Sequence, residues 1–242
     1  MPVDAQQVAV RFAKAASGYQ QHDCLQRRTS SLLLDGCTVN GGNWLDVGCG
    51  PGTEFARFHP AGVTAVDIAP AMLQQVRNRF PHYQTICTDA QKLALPSHMF
   101  DMVYSNLALQ WCGELGSVIG ELKRVLRPGG EVRIAMMVEV LPQLQTLGLS
   151  CHRFAGLAHI RQQFAAFPWQ EIALEQQTIR CYFSELRDLL YSLKGVGASM
   201  AAPSQGLRGR SYWRGLAARA ERLRTADGLP LDYHIVFITA RS

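Results

Sequence analysis

Few folds accommodate the stretch Asn43-Trp44-Leu45-Asp46-Val47-Gly48-Cys49-Gly50-Pro51-Gly52-Thr53, a short apolar run that breaks into three glycines at alternate positions. The run is too short for a buried helix and ends in turn residues, so it reads as a strand feeding a tight loop. Gly48, Gly50 and Gly52 allow positive φ values and let the loop backbone lie against a ligand without Cβ atoms in the way. A dinucleotide fingerprint would be G-x-G-x-x-G, but Thr53 stands three residues after Gly50, so the spacing is D-x-G-x-G-x-G. Asp46 at the strand end would repel a pyrophosphate and suits a ligand with a cationic amine.

From Asn43 onward strand and helix patterns alternate. Strands read at Trp44 to Val47, Val63 to Asp67, Thr85 to Cys87, Met102 to Ser105 and Val132 to Met137; helices read at Glu54 to Phe58, Ala71 to Phe80 and Leu115 to Leu126. This order predicts an α/β, doubly wound, mostly parallel sheet with right-handed crossovers. Before it, Val8, Phe12, Ala15, Ala16 and Tyr19 recur at helical spacing behind Asp4, and a second helix carries Leu25, Leu32 and Leu33. Both are free to lie over the site as a lid. Leu141 to Phe167 reads as short helices broken by Pro142, Gly148 and Gly156, then come a strand at Ile179 to Phe183, a helix at Ser184 to Leu193, an Arg-rich helix and a closing strand at Tyr233 to Thr239. A single domain is expected, divided into lid helices (1–40), a ligand-binding core (41–137), a helical cap insertion (138–170) and a C-terminal part of the core (171–242).

Asp67 ends the second strand 19 residues after Gly48, placed to accept both ribose hydroxyls of a nucleoside lying across the strand ends; its alternative is a helix N-cap. Asp89 follows the third strand and would accept from an adenine amino group while the Ala90 amide donates to the ring, or would simply close a turn. Ser105 and Asn106 end the fourth strand where substrates are processed. S-adenosylmethionine (SAM) combines the amine and the nucleoside. The seven cysteines are scattered with no C-x-x-C pair, which excludes a disulfide framework or zinc cluster and reads as free thiols; the histidines show no metal-ligand spacing, so no metal is expected. The N-terminal residues do not resemble a secretory signal and no apolar run is membrane-spanning, so a cytoplasmic location is expected. The net charge of +5 is uneven: Arg208, Arg210, Arg214, Arg219, Arg222 and Arg224 face only Glu221. That segment is a solvated face or a docking face for an acidic partner. Without an aromatic stacking platform, nucleic acid is not the expected partner.

Leu45 to Gly52, Asp67, Asp89 and Leu126-Arg127-Pro128-Gly129-Gly130 together resemble the class I SAM-dependent methyltransferases, a Rossmann-like fold with a seven-stranded sheet. A narrower resemblance spans nearly the whole chain. Phe12 to Tyr19 with Leu25-Gln26-Arg27, Ser105 to Cys112, Leu193 to Ala198 and Leu229 to His234 look like the BioC-type malonyl-acyl-carrier-protein O-methyltransferases of biotin synthesis. The resemblance implies that the free carboxylate of a malonyl group, thioesterified to acyl carrier protein or to coenzyme A, is methylated from SAM. It implies cofactor contacts at Gln26, Asp46, Gly48, Cys49, Gly50, Asp67, Ile68, Met72, Asp89, Ala90, Ser105 and Asn106. On the acceptor side it implies Tyr19, with His22 and Arg27 nearby, Arg153 as the cation for the malonyl carboxylate, and Lys194 as the alternative cation; Tyr19 also fits a core position. His152 stands where the family has Asn, and the segment before Arg153 is shorter. Carboxyl methyltransferases of free small acids, of the trans-aconitate type, share the Asn-x-x-Leu-Gln-Trp segment and form the nearest alternative. A non-catalytic SAM-binding partner protein is a second.

Overall fold

The computed structural model describes residues 24–149, 153–195 and 209–242, with only the backbone of Lys194 and Gly195. Tyr19, His22, the first expected helix and Arg208 lie outside the described residues. Helix α1 (Cys24–Leu34) precedes the sheet. Then follow β1 (Asn43–Val47), β2 (Gly62–Asp67), α2 (Pro70–Arg79), β3 (Gln84–Cys87), β4 (Phe100–Asn106), α3 (Leu115–Val125), β5 (Leu126–Met137), α4 (Pro142–Thr146), α5 (Leu157–Ala165), β6 (Glu171–Phe183), α6 (Leu186–Gly195), α7 (Arg210–Glu221) and β7 (Leu229–Arg241).

The seven strands form one sheet in the order β3-β2-β1-β4-β5-β7-β6. The first five pair in parallel, and β7 is antiparallel to both β5 and β6. The doubly wound expectation holds. Chain order reverses between β1 and β4, and the carboxyl ends of β1, β2 and β4 therefore open side by side at the point where such sheets bind ligands.

Strand periodicity divides the apolar residues between two faces. In β1, Trp44 packs with Phe55, Phe58, Tyr83 and Tyr104 on one face, while Leu45 and Val47 pack with α3 and α5 on the other. Asp46 shares the face of Trp44 and is 1% exposed. The helices read as a cap enter both layers: Leu144 of α4 lies with α1 and α6, and Ile160 and Phe164 of α5 lie with Val118, Ile119 and Leu122 of α3.

Three element boundaries differ from expectation for physical reasons. Glu54 to Phe58 forms only a 3-10 turn, Ala56–Phe58, because the next residue, His59, takes a left-handed φ of 47° and ends it before an α-helical nucleus forms. Strand β5 begins at Leu126, since that residue pairs with Phe100 before a register shift. Strands β6 and β7 run 13 residues each, paired from Glu171↔Arg241 to Phe183↔Leu229. The polar Glu171 to Thr178 segment hides this because it lies on the sheet edge, where little of it needs to be apolar.

Helix α1 is anchored by one buried cation. Arg133 on β5 donates to the carbonyls of Leu33 (2.9 Å), Asp35 (3.0 Å) and Gly36 (3.0 Å), which the helix end leaves without intrahelical donors, and pairs with Glu131 at 2.5 Å. Arg133→Met should cost about 3 kcal/mol or more, because Glu131, 3% exposed, keeps its charge without its nearest partner. Urea unfolding checks this, and Glu131→Leu added to Arg133→Met should recover much of the loss.

Candidate active site

The glycine loop is shaped by what surrounds it. Gly48 has φ of 65° and a Cβ there would overlap the Ala108 methyl; Gly52 has φ of 88° and a Cβ would lie 2.9 Å from the Phe80 ring. The loop is tied to β2, with Gly48 N and Cys49 N donating to Val66 O at 2.8 and 3.0 Å. Beyond it, Tyr83 acts as a latch: its hydroxyl donates to Thr53 O (3.1 Å) and accepts from Phe55 N (3.3 Å), while Phe80 stacks on its ring at 4.7 Å. Burial pushes the Tyr83 phenol up to about 12, so it stays a donor. The hydroxyl and backbone amide of Thr53 in turn lie close enough to Asp46 to favour its charged form.

Two cavities meet across this loop. The first, of about 210 Å³, is lined by Asp67, Ile68, Asp89, Ala90, Trp111 and Cys112 among others. The second, of about 460 Å³, is lined by Gln26, Arg27, Asp46, Cys49, Thr53 and Arg57 among others. Gly48, Gly50 and Asn106 line both. One elongated ligand can therefore run from the ends of β2 and β3, over the glycines, to the end of β1.

The acids in this path have distinct settings. Asp67 accepts from Gly50 N at 2.9 Å and from Ala69 N at 2.8 Å. The N-cap of α2 is Ala69 and has no side-chain cap, so Asp67 holds the loop and the turn rather than capping the helix. Its side chain also lines the first cavity. Burial pushes its carboxyl up, opposed by the Ala69, Gly50 and Ile68 amides. Asp89 accepts from Gln91 N at 2.9 Å and from Gln91 Nε2, so it closes a turn and lines the cavity as well.

Asp46 is the most perturbed. Burial drives its carboxyl up to about 7, against the Thr53 hydroxyl and amide and with help from the Asp67 charge. Its Oδ2 and the Oδ1 of Asn106 are buried without a hydrogen-bond partner among the described residues. Asn106 Nδ2 donates to Gln26 O at 2.9 Å, which fixes the amide with its oxygen turned elsewhere. Two acceptors in want of a donor, on residues lining the same cavity, suit an ammonium group.

Two expected contacts, Met72 and Ser105, are both 0% exposed, and the Ser105 hydroxyl donates to Val47 O at 2.8 Å; neither lines the two cavities. Arg153 is exposed. Its neighbour Phe154 packs edge-on against Trp111 (5.2 Å, 79°), and Phe154 N donates to Glu139 O at 3.2 Å, which seats this segment beside the first cavity. The side chain of Lys194 is outside the described residues. Thr53, Tyr83 and Leu107 (φ 54°) were not anticipated as site-shaping residues. Tyr83 is remote in sequence and carries no local signal, whereas Thr53 was visible as the polar residue closing the glycine run.

Comparison with known proteins decides the family. Residues 45–134 match the family described as "Methyltransferase domain". Malonyl-[acyl-carrier protein] O-methyltransferase of Enterobacter lignolyticus is 33% identical over 256 residues, covering 97% of this chain and 96% of that protein. The chain belongs to the malonyl-[acyl-carrier protein] O-methyltransferase family. The biotin biosynthesis bifunctional protein BioHC of Cellvibrio japonicus is 34% identical over 250 residues, and there the match takes 98% of this chain but half of the longer protein. The fold itself extends to chains of much lower identity. The YcgJ protein from Bacillus subtilis superposes with a TM-score of 0.62 at 14% identity, covering 89% of this chain and 98% of that one.

Proposed function

We propose that this chain is a cytoplasmic enzyme that methylates the free carboxylate of malonyl-acyl carrier protein from SAM, giving the methyl ester used in biotin synthesis. The observation that carries the reading is end-to-end similarity to a malonyl-[acyl-carrier protein] O-methyltransferase, reaching well beyond the SAM-binding half. The residues present fit SAM. Asp67 would take the ribose hydroxyls, Asp89 and the Ala90 amide the adenine edge, and Asp46 Oδ2 with Asn106 Oδ1 the ammonium. Bound there, SAM supplies a methyl group on a positively charged sulfur.

The acceptor needs little activation. A malonyl carboxylate is ionised at neutral pH, so no general base is required, and alignment with the methyl supplies much of the rate. Competing nucleophiles are suppressed: Cys49 and Cys112 line the cavities, and burial holds the Cys112 thiol up at about 12 and that of Cys49 well above its ordinary value. Neutral thiols attack a methyl donor poorly. Arg153 is the cation for the malonyl carboxylate, suited by its bidentate fork, with Lys194 as the alternative and Tyr19 as a further substrate contact. On α7, Arg210 and Arg214 are exposed on the same side as Trp213, 42% exposed, with Arg219 and Arg222 exposed farther along the segment; together they give it the right sign for docking an acidic carrier protein. Arg224 is tied to Glu221 and to Ser184 O.

Incubation of malonyl-acyl carrier protein with the enzyme and SAM, followed by mass spectrometry, should show one added methyl. Transfer to a free acid such as trans-aconitate in preference to the carrier overturns the substrate. Binding of SAM with no transfer to any acid overturns the enzyme. Arg153→Ala should raise the KM for malonyl-carrier about tenfold and leave SAM affinity unchanged, as expected for one charged hydrogen-bonding pair.

A further inference from the structure

The second cavity is also lined by two exposed arginines, Arg57 and Arg79, which mark its rim. Both side chains are exposed, yet each is held. The Arg57 guanidinium lies 4.6 Å from the Phe58 ring centre and donates to Leu34 O at 3.3 Å; that of Arg79 lies 5.0 Å from the Phe80 ring centre and donates to Pro51 O at 3.0 Å. Among the described residues neither of these forms a salt bridge, so both bring uncompensated charge to the cavity. Glu54 lines the same cavity, but its Oε1 accepts from Ala56 N at 2.8 Å.

A guanidinium has five donors in a fixed fork. Stacking on a ring and one backbone hydrogen bond orient each of these forks at little further cost in side-chain entropy and leave most of their donors uncommitted. Ser30, Ser31 and Thr53 line the cavity with them. This combination suits a small oxyanion.

We propose that Arg57 and Arg79 form an anion-binding subsite at this rim, which takes an oxyanion carried by one of the two reactants. The inference rests on the methyltransferase reading, which offers two such groups: the phosphate of the carrier's phosphopantetheine arm and the carboxylate at the methionine end of SAM. Both bind guanidinium forks bidentately.

Arg57→Gln and Arg79→Gln, singly and together, separate the two. Each is assayed with malonyl-phosphopantetheine and with malonyl-pantetheine, which differ only in the phosphate, and SAM affinity is measured by calorimetry. A rise in KM of about tenfold per arginine for the phosphorylated substrate, with malonyl-pantetheine and kcat unaffected, assigns the subsite to phosphate. A similar loss of SAM affinity with both acceptors equally affected assigns it to the carboxylate. Arg→Lys variants should recover part of either loss, because charge remains while the fork does not. Unchanged KM and SAM affinity in the double variant overturns the subsite. Failure of the parent enzyme to methylate either malonyl thioester overturns the functional reading instead, and the two failures cannot be confused.

Discussion

Asp67→Ala should weaken SAM binding about a thousandfold while leaving a folded protein. The carboxylate lines the first cavity with acceptor capacity for two ribose hydroxyls, and hydrogen bonds to a charged acceptor contribute about 1.5–3 kcal/mol each. The same oxygens accept from Gly50 N and Ala69 N, so the substitution also removes one of the ties between the glycine loop and β2, leaving those to Val66 O. Asp67→Asn separates these effects, since one amide oxygen can still accept from a backbone N–H while the charge is gone; it should fall between the parent and Asp67→Ala. Calorimetric titration with SAM gives the affinities and a thermal melt checks the fold. Unchanged affinity in Asp67→Ala would remove the ribose role altogether.

The second large effect is on pH. Asp46 in the ligand-free protein titrates near 7 rather than at the usual 3.8, chiefly because it is buried. If its carboxylate receives the SAM ammonium, then below pH 7 a proton must leave before the ligand binds, and affinity should fall about tenfold per pH unit. From pH 8 to pH 5 the loss should approach two orders of magnitude. Asp46→Asn should bind more weakly at pH 8 and lose the dependence. A flat profile for the parent protein would show that Asp46 does not meet the cation. Stability carries the same signature with its own sign. An unfolded chain releases this proton near 3.8 and the folded chain near 7, so between them the folded state binds more protons. This group's contribution to the stability of the ligand-free protein therefore falls as pH rises through that window, and is constant above it.

Much of the donor half of the site was legible because its residues sit at strand ends. A period of two, broken by glycine, locates Gly48, and the same logic locates Asp67 and Asp89 one and two strands away. Direction was not legible in the same way. Met72 and Ser105 lie as close in sequence to the site as Ile68 and Asn106, yet they turn inward, which depends on how α2 and β4 pack. The Tyr83 latch joins residues 30 apart, and no local pattern announces such a contact. The length of β6 was hidden for the opposite reason: its edge position relaxes the demand for apolar residues, so the alternation that marks a strand is faint. Nothing local in the sequence distinguishes Arg57 and Arg79 from other surface charge; the rings and carbonyls that hold them do.

The hydrogen bond from Asn106 to the Gln26 carbonyl joins α1 to the end of β4, and Gln26 lines the second cavity from the helix side. Helix α1 therefore belongs to the thermodynamics of the cofactor although it precedes the sheet. Whatever free energy an ordered α1 contributes to holding SAM, SAM must return in full to the ordering of α1. Occupancy of the site thus sets how firmly the opening segment of the chain is held, and the amide protons of Leu25 to Leu34 should exchange more slowly as SAM is added.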